Sequence, residues 1–233
     1  MLSVEHITFG YKPKIKVIDD INFEVNKGLI MGLLGHNGAG KTTTLRLILG
    51  LLRPQSGKIE VDGYIPESPF IPRRLISYMP ETSGVYERLT GFQNLEFRAR
   101  AAGLDLKQIR TLSTTWLDRL GLLDRGHEKA GTWSKGLRQR LSLACALICQ
   151  PRLLLLDEPT NGLDPESLSV FVRVLQGERD KGVTVVMSSH DLSSVRKVCD
   201  SITILHKGRV VYANVLQGTI ESLEETYLEL TKR

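Results

Sequence analysis

Residues 29–50 read LIMGLLGHNGAGKTTTLRLILG. Leu29 to Leu34 are nearly all apolar, as in a strand covered on both faces. They run straight into a glycine-rich turn, Gly35 to Thr42, that opens a helix. The turn, GHNGAGKT, matches the phosphate-loop pattern. Its residue types follow from the anion they serve. Glycines let the backbone turn tightly and approach phosphates without Cβ clashes. Exposed N–H groups and the helix N-terminus then cradle negative charge. The candidate nucleotide-binding residues are therefore Gly35, His36, Asn37, Gly38, Ala39, Gly40, Lys41, Thr42 and Thr43. Lys41 neutralises the β- and γ-phosphates, and Thr42 offers a hydroxyl to Mg²⁺. The His36 side chain has no evident task and is read as facing solvent or a partner.

Outward from this turn, the first third of the chain reads as short strands. Leu2 to Phe9, Ile21 to Val25, Lys58 to Val61 and Leu75 to Met79 are rich in β-branched and aromatic residues and bounded by turn formers. The stretch from Ser83 to Gln150 carries helical patterns at Gly91 to Ala102, Leu106 to Leu120 and Gly136 to Cys149. It reads as a helical insertion, residues 83–150, in a core formed by 1–82 and 151–233. From Pro151 on, strands (Leu153 to Asp157, Val183 to Ser188, Ser201 to His206, Arg209 to Tyr212) alternate with helices (Pro165 to Gly177, Leu192 to Val198, Thr219 to Leu230). Such alternation argues for an α/β core with a largely parallel sheet.

The strand LLLL, Leu153 to Leu156, runs into Asp157, Glu158 and Pro159. A buried strand that delivers two carboxylates at its C-terminal end places them at the ligand edge of a parallel sheet. Neighbours on a strand point to opposite faces. The two acids can thus divide the work: Asp157 orders Mg²⁺ and its water, while Glu158 polarises the attacking water.

Composition closes off other classes. With 41% hydrophobic and 24% charged residues, the 233-residue chain is that of an ordinary globular protein, one domain with a sizeable insertion. No apolar run approaches the roughly 20 residues of a membrane-spanning helix. The segment MLSVEHITFG lacks the basic and apolar regions of a signal peptide, so a cytosolic protein is expected. The net charge of +5 is scattered rather than blocked, which disfavours nucleic acid as a partner. Cys145 and Cys149 share a helix face, but no neighbouring His or Asp completes a metal set, so they read as small hydrophobes.

Further segments join the two motifs. TWSKGLRQRLSLACAL lies upstream of the acidic pair, NGLDP follows it at Asn161 to Pro165, and SSH places His190 after a strand. In this order they resemble the ABC ATPases along essentially the whole chain. The resemblance implies a phosphate-loop cassette: a RecA-like α/β core, an antiparallel β subdomain and a helical signature subdomain. It implies two cassettes closing head to tail around two ATPs, with Ser134 and Gly136 of one capping the γ-phosphate held by the other. It also implies that Tyr11 stacks on adenine, that His190 holds the attacking water with Glu158, that Asp164 communicates across the pair, and that ATP and Mg²⁺ are the ligands. The catalytic set it suggests is Glu158, His190 and Lys41. Thr42, Asp157 and Glu81 form the metal set.

Three departures from the family pattern stand out. The signature, usually LSGGQ, is WSKGL here, with Lys135 in place of a glycine. That lysine either adds positive charge near the partner's nucleotide or points away. Glu81, in YMPET, stands where the family carries a glutamine, and Asn161-Gly162 replaces the usual Ser-Ala. With the closing SLEETYLELT, these features resemble the short cassettes that serve separate transmembrane permease subunits in export. That likeness places the chain on the cytosolic face of a membrane. The stretch Thr82 to Arg100, with Phe92, Phe97, Arg98 and Arg100, resembles the groove that receives a permease helix. Its aromatics can equally join the core of their own helix. A soluble ABC ATPase in assembly or regulation is the alternative function.

Overall fold

The computed structural model describes the chain apart from Arg73, Ser83, 217–219 and 232–233, and apart from the side chains of 220–223 and Thr226. Ser83 and Thr219, where the sequence starts the insertion and the last helix, lie outside the described residues. In chain order the elements are β1 (Leu2–Phe9), β2 (Ile18–Val25), β3 (Ile30–Leu34), α1 (Lys41–Ile48), β4 (Ser56–Val61), β5 (Ile76–Met79), α2 (Gly91–Ala101), α3 (Leu106–Arg119), α4 (Lys135–Leu147), β6 (Leu153–Leu156), α5 (Pro165–Asp180), β7 (Thr184–Ser189), α6 (Leu192–Val198), β8 (Ser201–His206), β9 (Arg209–Val215) and α7 (Ile220–Thr231).

Two sheets result. β2-β1-β4 is antiparallel, and β5-β6-β7-β3-β8-β9 is parallel except at its β8–β9 edge. All residues of β3, β6 and β7 are buried, as a strand covered on both faces requires. Alternate residues of these strands enter two different cores. Ile30, Leu34, Leu154 and Leu156 face a core shared with the helical layer α2–α4. Met31, Leu33, Leu153 and Leu155 face a second core shared with α1 and the antiparallel sheet. The helical insertion therefore draws its core from the same sheet that carries the phosphate loop. Gly32 interrupts the apolar run because α6 lies against it: a Cβ there would sit 2.7 Å from Val195 Cγ1.

Helix starts follow capping chemistry. Thr90 and Gln93 form a capping box on α2, and Asp105 and Gln108 form one on α3. Helix α5 runs past Gly177, where the sequence suggests a stop, to Asp180. Its last turn is anchored by Glu178, which holds Arg119 at 2.7 Å and Lys181 at 2.8 Å. Burial raises the Cys145 thiol to about 12, and the residue sits in the core as a small hydrophobe. Among the described residues, no helix is long and apolar enough to cross a membrane.

Candidate functional site

The loop between β3 and α1 is held by its own backbone, by Ser189 O of β7, which accepts the Gly35 N–H at 3.2 Å, and by Gly208, whose N–H donates to Ala39 O at 3.1 Å. Gly40 caps α1 at φ 108, and a Cβ there would also lie 2.6 Å from Ile18 Cδ1, so only glycine fits. Thr44 donates N–H (2.8 Å) and hydroxyl (3.0 Å) to Gly40 O. Lys41 is buried, its ammonium donating to Gly35 O at 2.6 Å and His36 O at 3.3 Å. It also lies 3.1 Å from Glu158 Oε1, an ion pair outside directed hydrogen-bond geometry, which among the described residues leaves Oε1 without a hydrogen-bond donor.

Strand β6 ends at Leu156, one residue short of the acids. Strand alternation therefore does not separate Asp157 from Glu158, contrary to the sequence reading. Glu158 instead takes a left-handed turn, φ 46, unusual for a non-glycine residue. Asp157 is 2% exposed. Its Oδ1 accepts from Thr42 Oγ1 at 3.1 Å and Ser188 Oγ at 2.6 Å, and its Oδ2 accepts from Tyr78 OH at 3.1 Å. Burial, and then the Asp157 charge, push the Tyr78 phenol well above its ordinary range, so it remains a donor. Ser188 Oγ also accepts the Glu158 N–H at 2.9 Å. Glu158 Oε2 faces His190 Nδ1 at 2.9 Å.

Lys41, Glu158 and His190 face a pocket of about 220 Å³, while Asp157 lies buried behind Thr42 and does not line it. Asn37, Gly38, Gly40, Lys41, Thr42 and Thr43 line it from the loop; Glu81, Glu158 and His190 line it from the other elements. Val17, which the sequence did not single out, and Asn161, named there only as a departure from the family pattern, also line it. Gly35 and Ala39 lie beneath the loop. The His36 ring packs edge-on against His206, with centroids 5.2 Å apart. Tyr11 stands at the rim, 57% exposed, its hydroxyl 3.4 Å from Thr43 Oγ1 and its ring edge-on to Phe9.

The donor set suits Mg²⁺. This ion keeps several waters and takes one or two carboxylates plus phosphate oxygens, so it needs no acidic cluster. The Thr42 hydroxyl and Asp157 carboxylate touch each other, and Glu81 lines the same pocket. No cluster of three or more His, Cys, Asp or Glu occurs among the described residues, and this coordination does not call for one.

Ser134, Gly136 and Asp164 are brought together away from this pocket. Ser134 caps α4, accepting the Leu137 N–H at 3.3 Å. A Cβ on Gly136 would lie 2.9 Å from Ser167 Oγ and 3.2 Å from Asp164 Oδ2. Asp164 caps α5, with both carboxylate oxygens bonded to Ser167 at 2.8 Å. The Ser167 N–H, then its hydroxyl, hold the Asp164 carboxyl below its usual range. Its side chain is thus engaged within its own chain, which the sequence did not suggest. Lys135 folds over the same loop: a Cβ on Gly162 (φ 72) would sit 2.7 Å from its Nζ. Two of the three departures from the family pattern, Lys135 and Gly162, therefore meet in space. On α2, Phe92 turns inward against the core, while Phe97 is exposed and packs on Tyr86 at 4.9 Å.

A phosphate loop on a parallel sheet, a threonine hydroxyl on a buried carboxylate, and a glutamate–histidine pair at the mouth together define a phosphate-loop NTPase. Comparison with known proteins narrows the class. A family model described as ABC transporter matches residues 18–161. The ABC transporter ATP-binding protein NatA of Bacillus subtilis (strain 168) is 36% identical over 91% of this chain and 87% of its own. The linearmycin resistance ATP-binding protein LnrL of the same organism is 32% identical over 98% of this chain and 78% of its own. A solved structure described as the ATP binding subunit of an ABC transporter superposes with a TM-score of 0.89 at 34% identity, covering 99% of each chain. The chain belongs to the ABC transporter family and is an ATP-binding, ATP-hydrolysing subunit of it.

Proposed function

We propose that this subunit drives export by separate membrane permease subunits, working as a pair of cassettes on the cytosolic face of the membrane. One observation carries the hydrolytic chemistry: Glu158 and His190 stand 2.9 Å apart in the pocket that the phosphate loop lines, with Glu158 Oε1 3.1 Å from Lys41 Nζ. Glu158 accepts a proton from, and orients, the attacking water, and His190 holds that carboxylate in place. Lys41, already aimed into the loop, exchanges its carbonyl partners for phosphate oxygens. Thr42, Asp157 and Glu81 hold Mg²⁺, which when bound neutralises charge on the phosphate oxygens. Catalysis is then largely electrostatic positioning.

The same reading assigns Ser134, at the N-terminus of α4, to the nucleotide of a second cassette, and Tyr11 to the adenine. Residues 83–150 form the helical subdomain, and its exposed Tyr86–Phe97 pair offers apolar surface to a permease helix. Export is favoured by the name of the linearmycin resistance relative and by the Glu81 and Lys135 departures.

The test is to express tagged Glu158→Gln protein in its native cell and purify it in mild detergent with Mg-ATP. A multi-spanning membrane protein at matching stoichiometry is expected. A soluble assembly, with no membrane protein, would overturn the transport reading while leaving the ATPase chemistry.

A further inference from the structure

Asp157 is a buried carboxylate whose two oxygens are held from different sides. Oδ1 takes two hydroxyls, those of Thr42 and Ser188. Among the described residues, Oδ2 takes only that of Tyr78, at 3.1 Å. Tyr78 reaches it from β5, the strand paired parallel to β6. The pairing sets Tyr78 opposite Leu155 and Met79 opposite Leu156, and Met79 O accepts the Asp157 N–H at 2.9 Å. One strand edge thus holds the aspartate twice, by backbone and by side chain. The Tyr78 ring packs partly against the second core, and its exposed side borders a groove of about 290 Å³ with Arg98, Ser142 and Cys149.

The chemistry of this arrangement is directional. A carboxylate is free to rotate about its Cβ–Cγ bond unless both oxygens are engaged. With Oδ2 tied to β5, Oδ1 is committed to Thr42, the residue that opens α1 beside the pocket. Without the phenol, a buried anionic oxygen loses its donor and the carboxylate can turn away. Ser188 cannot substitute, because its hydroxyl proton already goes to Oδ1.

We infer that Tyr78 is a positioning residue for the metal step: it turns the Asp157 carboxylate so that Oδ1, beside the Thr42 hydroxyl, is presented to Mg²⁺. This rests on the assignment of Thr42 and Asp157 as the Mg²⁺ ligands. The substitution Tyr78→Phe keeps the ring and removes only the hydroxyl.

The test is a binding titration on the full chain with a fluorescent N-methylanthraniloyl ATP, run without divalent cation and then with increasing MgCl₂. Affinity without metal is expected to be the same in wild type and Y78F, since the phosphate loop is untouched. The Mg²⁺ concentration that half-completes the metal-dependent tightening is expected to rise about tenfold in Y78F, the size of one hydrogen bond to a charged group. An unchanged midpoint in a Mg²⁺-responsive protein would overturn the role of Tyr78 alone. Equal weakening with and without metal would also overturn it, because Tyr78 would then support the fold and not the carboxylate. A wild type indifferent to Mg²⁺ would overturn the metal assignment itself, and this inference with it.

Discussion

Ser188 joins the two acids of the site. Its hydroxyl donates to Asp157 and accepts from the Glu158 backbone, so a single fully buried side chain fixes the Asp157 carboxylate and the left-handed turn at Glu158. Ser188→Ala leaves a buried N–H without a partner and removes one donor from Asp157, costs of about 1–3 kcal/mol each. Turnover is expected to fall at least about tenfold, with a smaller change in metal-free nucleotide affinity; steady-state phosphate release and a binding titration would measure the two. At this scale the sequence was legible where chemistry is local. The loop lysine, its threonine and the acidic pair each sit in a contiguous motif; Lys41, Thr42 and Glu158 line one pocket, and Asp157 reaches it only through the Thr42 hydroxyl. Ser188 and Tyr78 escaped because nothing local distinguishes them. Ser188 sits two residues before His190 in SSH, and Tyr78 sits three residues before Glu81 in YMPET. Only the pairing of β5, β6 and β7 brings their hydroxyls to Asp157. The positive φ of Glu158 was hidden for the same reason: a strand pattern says nothing about the residue just beyond its end.

The element that most revises the sequence reading is the start of α4. Its first two turns are strapped to the loop that follows Glu158. Gln139 Nε2 donates to Pro159 O at 3.2 Å, buried Arg140 donates to Ser167 Oγ at 2.9 Å, and Gly136 admits no side chain against Asp164. Asp164 serves this junction as the α5 cap. Because Ser167 depresses its pKa, the charged carboxylate stabilises the fold above the unfolded value of 3.8, and that stability is lost as pH falls through the lower folded value. Asp164→Ala is therefore expected to lower the melting temperature at neutral pH, and the gap to wild type is expected to close below pH 3.8. Thermal melts of both proteins across that range check it; a gap that widened in acid would contradict the cap. The helical patterns placed the starts at Gly91, Leu106, Pro165 and Leu192 correctly, and in the structure Thr90, Asp105, Asp164 and Asp191 cap them as side-chain acceptors one residue before each helix. Helix ends were less legible: Gly177 reads as a stop, yet ion pairs from Glu178 carry α5 onward.

Across the whole molecule, one parallel sheet serves two cores and one site. The alternation of β3 and β6 residues between the faces packs α1 and the antiparallel sheet on one side and the helical layer on the other. The strand ends converge on the loop at 35–42. The sequence showed the α/β class through the alternation of strands and helices, and it reads the segment carrying α2–α4 as an insertion. It did not show that the insertion shares a core with the sheet, because that depends on which face each leucine of LLLL takes. The arrangement links the pocket, the α4 start and the groove beside Tyr78 through short hydrogen-bonded paths. Every one of those paths presumes that Glu158 is the base. The most direct test is steady-state phosphate release by Glu158→Gln at saturating Mg-ATP, measured beside the ATP bound per chain. The general-base contribution is about 10²–10⁴-fold. The expected result is ATP retained at wild-type occupancy with phosphate release lowered by at least about a hundredfold. Release near the wild-type rate would contradict the assignment of Glu158 and the mechanism built on it.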